Sequence, residues 1–466
     1  MSDLLSILNA GAASLAAQQA AAATASHNLS NANTPGYARQ RVELEAVLPA
    51  ERVSGGFIGR GARLTTISQA RDRFLEAQIP RQLGLASFAS AKSAALDAVS
   101  ALDPETAGNL GAALSNFYGS LRQLSQNAGD ASLRQAAVGA ARTLALAFNT
   151  TAGSLEGARS GLDQKLAGTV SEVNDLTRQV AAYNREIRAA RAGQGGEPND
   201  LLDARLKAVD RLAELTGATP VPTSEGDLSV FMPGGTALVT GITAGTMSTL
   251  PDVTNGGHLS LRFAQPGLAA QAAGSIGGEL GGLLEARDAT LRAAVTGLDT
   301  LAFDVGTALN AVHAAGVGLD GSTGLDLFDV GTTAAGAASR LAVSAAVAAD
   351  PRRLAAAGAA TALPGDGTNL AALIATETQA LSGGLDATST FARLTSEFGA
   401  ASRSADAAAE LETSLRSHLE TMREATSGVS IDEELISLQK AQRGYEAMTK
   451  VMQVSSDLFD TLLQLK

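Results

Sequence analysis

Residues 3–31 read DLLSILNAGAASLAAQQAAAATASHNLSN, and this opening stretch sets the frame for the fold. Its apolar side chains recur at helical spacing, with Leu8, Leu15 and Leu29 on one seven-residue row. Alanine, glutamine and serine fill much of the remaining seam, which is therefore small and partly polar. The sequence Asn33-Thr34-Pro35-Gly36-Tyr37 predicts a turn, because proline presets φ and glycine permits a positive φ. We predict a terminal helix that ends just before this turn.

A second amphipathic helix is predicted at the opposite end, in residues 431–466, which contain no proline. Asp432, Glu433 and Glu434 place negative charge in its first turn, where it interacts favourably with the helix dipole. Two heptad rows follow. They consist of Leu438, Tyr445, Met452 and Phe459 on one side and Ala441, Met448, Ser455 and Leu462 on the other.

These two helices favour a coiled-coil pair between the chain ends. One amphipathic terminal helix commonly packs on its own domain, but one at each end points to pairing. A buried leucine or phenylalanine contributes about 1.5–3 kcal/mol, whereas ordering the chain costs about 1–2 kcal/mol per residue. A lone pair with so few large side chains is therefore marginal and needs neighbouring copies. The predicted assembly interface consists of Leu8, Leu15, Leu29, Leu438, Tyr445, Met452, Phe459 and Leu462.

The middle of the chain is mostly helical, with a very long apolar periodicity over about 131–192. Helix is also predicted at 70–100, 200–216, 279–314 and about 369–427, with Asn199 or Asp200 capping the second of these. Helical sequence on both sides of β-prone segments indicates an elongated, mainly α, multi-domain chain that goes out and comes back. The predicted parts are a terminal domain (1–36 and 428–466), a β-like connector (37–79), a long-helix domain (80–219 and 276–427), a small β-rich insertion (220–275) and a turn-rich segment within the long-helix domain (316–365).

Composition excludes several classes of function. The net charge of −12 argues against nucleic-acid binding, which needs a basic surface. The chain has no cysteine, so disulfides and thiolate metal sites are excluded. The amino terminus lacks a basic start and its apolar stretch is interrupted by polar residues, so neither a Sec signal nor membrane insertion is predicted. Any export from the cytoplasm must then use another route.

Motifs for catalysis or metal binding are not found in the sequence. The four histidines, His27, His258, His313 and His418, lie in separate elements, and each is interpreted as a solvated or capping residue. The glycine-rich run at 55–61 has the spacing of neither phosphate-binding fingerprint and is interpreted as a hairpin turn. Residues 320–326 lack the closing glutamate of a calcium loop. The sequence therefore predicts no enzyme, cofactor or metal site.

Both chain ends resemble the flagellar rod, hook and hook-associated proteins. The run from Ser26 to Tyr37 is similar to their signature, through Asn28, Asn31, Asn33, Pro35, Gly36 and Tyr37. Residues 427–434, 438–447 and 458–463 resemble the closing helix of the same family. Four internal runs resemble the hook-associated members in particular, so the likeness extends over nearly the whole chain. They are 198–205 (PNDLLDAR), 277–288 (GGELGGLLEARD), 308–316 (ALNAVHAAG) and 324–328 (GLDLF).

The resemblance implies a structural role at the junction between hook and filament. Such proteins leave the cytoplasm through the flagellar type III apparatus, with an export chaperone on the carboxy-terminal helix. They then form a ring of about eleven copies through their terminal helices. The implied partners are the hook protein on one side and the second junction protein or filament flagellin on the other.

Two alternatives stay open at this stage. A hook or distal rod protein would share both chain ends, although rod proteins are much shorter and hook proteins carry more β-sequence in the middle. An exported cell-wall hydrolase would need a clustered pair of acids or a nucleophile, and the sequence offers none.

Overall fold

The fold is described from a computed structural model of the chain. It describes residues 2–47, 52–53, 56–57, 61–99, 102, 110–193 and 196–464, and for residues 2–7, 52, 53, 56, 57, 462 and 463 the backbone alone. The described chain is mainly helical with several small sheets, which confirms the predicted fold class. Whether the terminal helices supercoil around each other stays a prediction.

Twelve α-helices occur in the described residues. They are α1 (Ser2–Ser30), α2 (Arg73–Asp97), α3 (Leu110–Gln126), α4 (Ala131–Ala192), α5 (Asn199–Thr216), α6 (Gly278–Glu285), α7 (Arg292–Ala315), α8 (Ala337–Arg340), α9 (Ala345–Ala349), α10 (Thr368–Ala375), α11 (Ala387–Ser427) and α12 (Ile431–Gln464). A π-helical turn, Ala286–Leu291, joins α6 to α7.

Thirteen short strands form antiparallel sheets beside these helices in the same described parts. They are β1 (Gln40–Ala46), β2 (Arg52–Val53), β3 (Gly56–Phe57), β4 (Ala62–Gln69), β5 (Thr219–Pro222), β6 (Leu228–Phe231), β7 (Ala237–Thr240), β8 (Thr243–Ala244), β9 (Thr246–Pro251), β10 (Leu259–Ala264), β11 (Gln271–Ala272), β12 (Phe328–Asp329) and β13 (Ala342–Val343). The largest sheet has the order β5-β6-β7-β8, and β9 to β11 form a sheet of three.

Helix α4 is the long helix on which many of the other elements pack. It begins where the Asp130 side chain accepts hydrogen bonds from the Ser132 and Leu133 amides, at 2.7 and 2.9 Å. Its 62 residues extend over about 93 Å. Apolar side chains recur every three or four positions, and Leu144, Phe148 and others on this face are fully buried. Helix α3 packs against this face, and a single continuous hydrophobic core runs along α4.

The β-rich insertion lies lengthwise along the second half of α4. At one end Asp227 binds Arg188; at the other, the Leu259 amide donates to Asp163 at 3.2 Å. The chain segments that enter and leave the insertion meet at Gly217 and Gly277. A Cβ atom added at Gly217 would lie 2.9 Å from the Cα atom of Gly277. Gly217 also has φ +69°, so glycine is required there for both conformation and space.

Buried asparagines on the long helices hold the strands in place. Asn184, which is fully buried, donates to the carbonyl of Leu228 at 2.8 Å and accepts from its amide at 3.1 Å. Asn174 makes the same pair of bonds to Met247, at 2.8 and 2.7 Å. Asn174 thus takes the place of a neighbouring strand at the open edge of β9, and Asn184 completes the bonding of β6 beyond the point where its pairing with β7 ends. Asn310 of α7 binds both backbone groups of Phe328 in the same way, at 2.7 and 2.8 Å.

Two details of the helix predictions are wrong. Helix does not continue over 369–427, because a turn at Gly384 (φ +78°) separates α10 from α11, which Asp386 caps. Neither Asn199 nor Asp200 caps α5: Pro198 stands at the cap without a side-chain bond, and Asn199 instead donates to the Ile67 carbonyl at 2.8 Å.

The histidine interpretation is wrong for two of the four residues. His313 is fully buried between two loops, since its ring nitrogens bond to the Leu325 carbonyl and the Ala355 amide. His258 is 4% exposed and lies between two carboxylates. The glycine-rich hairpin predicted at 55–61 lies largely outside the described residues.

Replacing Asn184 by alanine is expected to destabilise the helical body by about 2–4 kcal/mol, because buried backbone groups of β6 lose their partners. Urea unfolding followed by far-UV circular dichroism measures this change. Asn116→Ala, at an exposed position of α3, is the matched control and should fall within about 0.5 kcal/mol of the native chain. Equal midpoints for both variants would contradict the structural role of Asn184.

Candidate assembly interface

The two terminal helices pack side by side in antiparallel orientation. Gly11 lies against Met452, Gln18 against Gly444 and Asn28 against Glu434, so positions that increase along α1 decrease along α12. A Cβ atom at Gly11 would come within 2.4 Å of the Met452 sulfur. The close approach of the helices therefore depends on small residues.

The structure places the predicted interface residues at differing depths. Leu8, Leu15, Leu29, Leu438, Met452 and Phe459 are half-buried, Tyr445 is 39% exposed, and the Leu462 side chain lies outside the described residues. Of the described side chains on the two helices, the most buried are instead small or polar: Ala17, Thr24, Ala25, Asn28, Glu434, Ala441 and Ser455. The heptad rows therefore locate the paired faces, but leucine positions mark their margins on α1.

Helix α12 carries a second apolar surface beside the face that contacts α1. Ile436, Val451, Val454 and Leu458 are 53, 46, 59 and 54% exposed. At 100° per residue they lie within an arc of about 60°. We call these four residues the outer stripe. Large apolar side chains aligned along an exposed helix are typical of a surface that binds another helix.

Asn28 fastens the end of α1 to the beginning of β1. Its amide group donates to the Gln40 carbonyl and its carbonyl accepts from the Gln40 amide, both at 2.9 Å. The Tyr37 hydroxyl donates to the same Asn28 oxygen at 2.7 Å, and His27 Nδ1 lies 3.0 Å from that hydroxyl. Burial, followed by the charges of Asp200, Asp203 and Glu434, raises the pKa of Tyr37 above its ordinary value, so the hydroxyl keeps the proton it donates.

The same group of residues receives the beginning of α12. Asn28 Nδ2 also donates to Glu434 Oε2 at 3.0 Å, and Glu434 is 3% exposed. Arg39 pairs with Glu434 and Glu433, each at 2.6 Å, and the Arg39 amide donates to the Ser427 carbonyl at 2.9 Å. The outgoing and returning ends of the chain are therefore joined by charge-assisted hydrogen bonds, of which the one from Asn28 to Glu434 is buried. We call this contact of Asn28, Tyr37, Arg39, Gln40 and Glu434 the joint.

The first turn of α5 supports this joint from the helical body. Gln40 donates to Asp200 at 3.2 Å, and the Ala38 amide approaches Asp203 at 3.4 Å. Asp203 also accepts from Gln69 at 2.8 Å and pairs with Arg71. Burial raises the pKa of Asp203, against the lowering effect of Arg71. The run PNDLLDAR at 198–205 thus lies directly under the terminal signature.

The other signature residues shape the turn between these contacts. Asn31 donates through its side chain to the His27 carbonyl at 3.0 Å, and Gly36 has φ +83°. Asn33 and Pro35 are exposed. Arg39, Asp203 and Glu434 were missed as site residues because nothing in their local sequence distinguishes them from surface charges. Glu434 lies 406 positions from Asn28 in the sequence, and the fold alone brings the two residues together.

A cleft of 1110 Å³ lies beneath the turn, between α5 and α11. Within it Arg423 donates to Asp210 at 3.0 Å. Burial raises the pKa of Asp210 to about 6, the ion pair with Arg423 opposes this, and Glu76 and Glu214 add to it. The folded protein therefore disfavours the ionised form of Asp210 relative to the unfolded chain.

Within the described residues, no group of three or more potential ligands is arranged to hold a metal ion. No described helix has the length and hydropathy needed to cross a bilayer.

Comparison with known protein families gives two matches. The model described as the flagellar hook-associated protein FlgK helical domain matches residues 96–328, half of the chain. The model described as the flagellar basal body rod FlgEFG protein C-terminal matches residues 424–465, which contain α12. The second match covers the helix that closes the joint.

Related proteins carry consistent names. Flagellar hook-associated protein 1 of Salmonella typhimurium is 30% identical over 70% of this chain, and the chain spans 60% of that protein. The protein of the same name from Bacillus subtilis is 28% identical, with 96% of each chain covered. The flagellar hook junction protein FlgK of Burkholderia pseudomallei shares the fold, with a TM-score of 0.66 at 19% identity over 76% of this chain and 100% of that one.

These matches define the class as that of the flagellar hook-associated and basal body rod proteins. Within that class, the chain belongs to the family of the flagellar hook-associated protein FlgK.

Replacing Asn28 by alanine is expected to release the terminal helices from the body, because the Gln40 backbone, Tyr37 and Glu434 lose a shared partner. Amide exchange in residues 36–42 and 431–438 should accelerate about tenfold or more, since each lost buried bond costs about 1–3 kcal/mol. Asn33→Ala, in the same turn but exposed, serves as the control. Unchanged exchange in both segments of the Asn28 variant would refute the joint.

Asp210 gives a pH dependence of known sign. Because the pKa of Asp210 rises from 3.8 to about 6 on folding, the folded chain binds this proton more tightly than the unfolded chain. The free energy of unfolding therefore decreases as the pH rises from about 4 to about 6. Asp210→Asn removes this pH dependence, so the free energy of unfolding of the variant should increase by up to about 3 kcal/mol relative to that of the native chain as the pH rises across that interval. Urea unfolding of both proteins at several pH values measures the difference. Asp175→Asn, an exposed change on α4, should give a constant offset.

Proposed function

We propose that this chain is a junction subunit that joins hook to filament in the bacterial flagellum and assembles through its terminal helices. Its family membership supports a flagellar structural role. The particular observation that carries the proposal is the outer stripe of α12, an apolar surface that the chain does not cover by itself. The proposed working division is a terminal assembly pair, a β ribbon of β1 and β4, and a helical body that bears the β-rich insertion.

The energetics of the outer stripe favour assembly between copies. Full burial of an aliphatic side chain contributes about 1.5–3 kcal/mol, and the four side chains of the stripe are about half exposed. Covering the stripe would therefore add roughly 3–6 kcal/mol per copy. The pair of α1 and α12 combines small side chains with Met448 and Met452 near Gly11, and the stripe offers further apolar area beside this contact.

The proposed partners follow from this arrangement. Copies of the chain form a closed ring, of about eleven members in the proposed assembly, because a heterologous contact with a closing rotation gives a ring. Hook protein lies on one side, and the second junction protein or flagellin on the other. Before assembly, an export chaperone covers α12 in the cytoplasm, and the chain leaves through the flagellar type III route.

The outer stripe can be tested by charge insertion in the native bacterium. Val454→Asp and Leu458→Asp should leave the fold of the single chain unchanged, since both side chains are exposed in it, and the exported protein is quantified in the culture medium so that a loss of export is distinguished from a loss of assembly. Hooks in these strains should lack filaments in electron micrographs, because a buried unpaired carboxylate is strongly unfavourable. Gln453→Asp, an exposed residue on another side of α12, is the matched control. Normal filaments in both stripe variants would sink the proposal.

A further inference from the structure

The loop between β9 and β10 contains an asparagine followed by a glycine, Asn255-Gly256, and no other asparagine of the sequence precedes a glycine. An asparagine in this position is prone to lose its side-chain amide. The following glycine has no side chain to hinder its backbone nitrogen, and its backbone is unusually free to adopt the geometry of attack. The loop therefore contains the most labile asparagine of the chain, as judged from the sequence alone.

Deamidation at this position needs no reagent except water. The backbone nitrogen of Gly256 bonds to Cγ of Asn255 and closes a succinimide ring. The bond from Cγ to Nδ2 breaks, and the side-chain nitrogen leaves as ammonia with the proton of the Gly256 N–H. Water then opens the ring at either carbonyl, which gives an aspartyl or an isoaspartyl residue without any change of oxidation state.

The backbone of the loop does not prevent this attack. Gly256 is exposed, and in the part of the chain that the structure describes no group accepts a hydrogen bond from its N–H. Its φ of +66° favours glycine, so the turn itself retains the labile pair. Val253 of the same loop is 90% exposed, so water reaches the loop. Protection of the folded chain must then come from the side chain of Asn255.

Two charged partners hold the side chain of Asn255. Its Nδ2 donates to Asp288 Oδ1 at 2.7 Å, and its Oδ1 accepts from Arg159 Nη2 at 3.0 Å. Arg159 lies on α4 and Asp288 on the π-helical turn before α7, so both partners belong to the helical body. Hydrogen bonds to charged groups are stronger than those between neutral groups. Rotation of the amide toward the Gly256 nitrogen would break both bonds.

We propose that Asn255 is a deamidation site that stays unreactive while this end of the β-rich insertion, residues 252–263, is docked on the helical body. When this end undocks, or while the chain is unfolded, the amide is free and the pair Asn255-Gly256 reacts. The aspartyl product cannot restore the contact, because it has no N–H group to donate to Asp288 and places a second carboxylate beside it. Deamidation is therefore an irreversible loss of this attachment.

Peptide mass spectrometry of the full chain measures the reaction, because the replacement of NH2 by OH changes the peptide mass. The chain is incubated at one mildly alkaline pH and one temperature, either folded in buffer or unfolded in guanidinium chloride. Two hydrogen bonds to charged groups, one of them to the partly exposed Asp288, should slow deamidation of Asn255 in the folded chain by at least about tenfold. Equal rates in the folded and unfolded chains overturn the proposal.

Asp288→Ala separates these hydrogen bonds from the general effect of folding. It removes the acceptor of Nδ2, so Asn255 in the folded variant should deamidate about tenfold faster than in the native chain. Asp288→Asn, whose side-chain oxygen can still accept from Asn255, should keep most of the protection. Asp175→Ala removes an exposed carboxylate of α4 and is the matched control.

Amide exchange in α3 and α4 verifies that the body of each variant is folded. An unchanged rate in folded Asp288→Ala overturns the proposal, as does an equal acceleration in Asp175→Ala. The comparison of the folded and unfolded native chain depends on no variant, so it decides the question even if Asp288→Ala does not fold.

Asn255→Asp reproduces the aspartyl product and tests the consequence of the reaction. Amide exchange of residues 252–263 should be severalfold faster than in the native chain, because the bond to Asp288 is lost. Residues 228–241, at the other end of the insertion, are the internal control and should exchange at the native rate. Native exchange of residues 252–263 in this variant overturns the proposed loss of attachment.

Discussion

The architecture depends on the buried side-chain amide that takes the place of a neighbouring β-strand. The sheets have two to four short strands, and such sheets are marginal in water because their edges leave backbone groups unpaired. At Asn28, Asn174, Asn184 and Asn310, one asparagine on a long helix satisfies both the N–H and the C=O group of a single residue. Asparagine carries a donor and an acceptor at the geometry of a peptide group, and aspartate lacks the donor. The helices therefore supply rigidity, and the strands need only be short.

The same interaction closes the chain on itself at the joint. Asn28 binds the Gln40 backbone and Glu434, which is 406 positions away, so the joint forms only when nearly the whole chain is present. Contacts of such long sequence separation form late, because the entropy of closing the intervening loop is lost first. Helices α3 and α4 are neighbours in sequence, so their packing requires no such closure. This difference suits the proposed use of the chain ends in assembly.

Periodicity in the sequence was enough to locate the long elements. Residues 131–192 were predicted as helix from apolar spacing alone, and α4 has these bounds, since Asp130 and Gly193 mark its ends. The residues of the joint are harder to predict from the sequence. Asn28 and Tyr37 were found only through a resemblance, and Arg39, Asp203 and Glu434 were not found, because a charged residue has no local feature that reveals burial by distant segments. His258 was misjudged for the same reason: its partners are 95 and 102 positions away. Local patterns encode faces and turns, whereas electrostatic partners depend on which faces meet.

The two sides of α12 differ in composition, and this difference has a physical consequence. Toward α1, Ala441, Gly444 and Ser455 allow close backbone approach, and Met448 and Met452 supply the larger contacts at Gly11. Beside this face, the outer stripe holds aliphatic side chains that the single chain leaves about half exposed. If these side chains were packed against α1, a single chain would complete its own bundle and gain little from a neighbour. Their exposure leaves that part of the hydrophobic stabilisation for the proposed contact with another molecule.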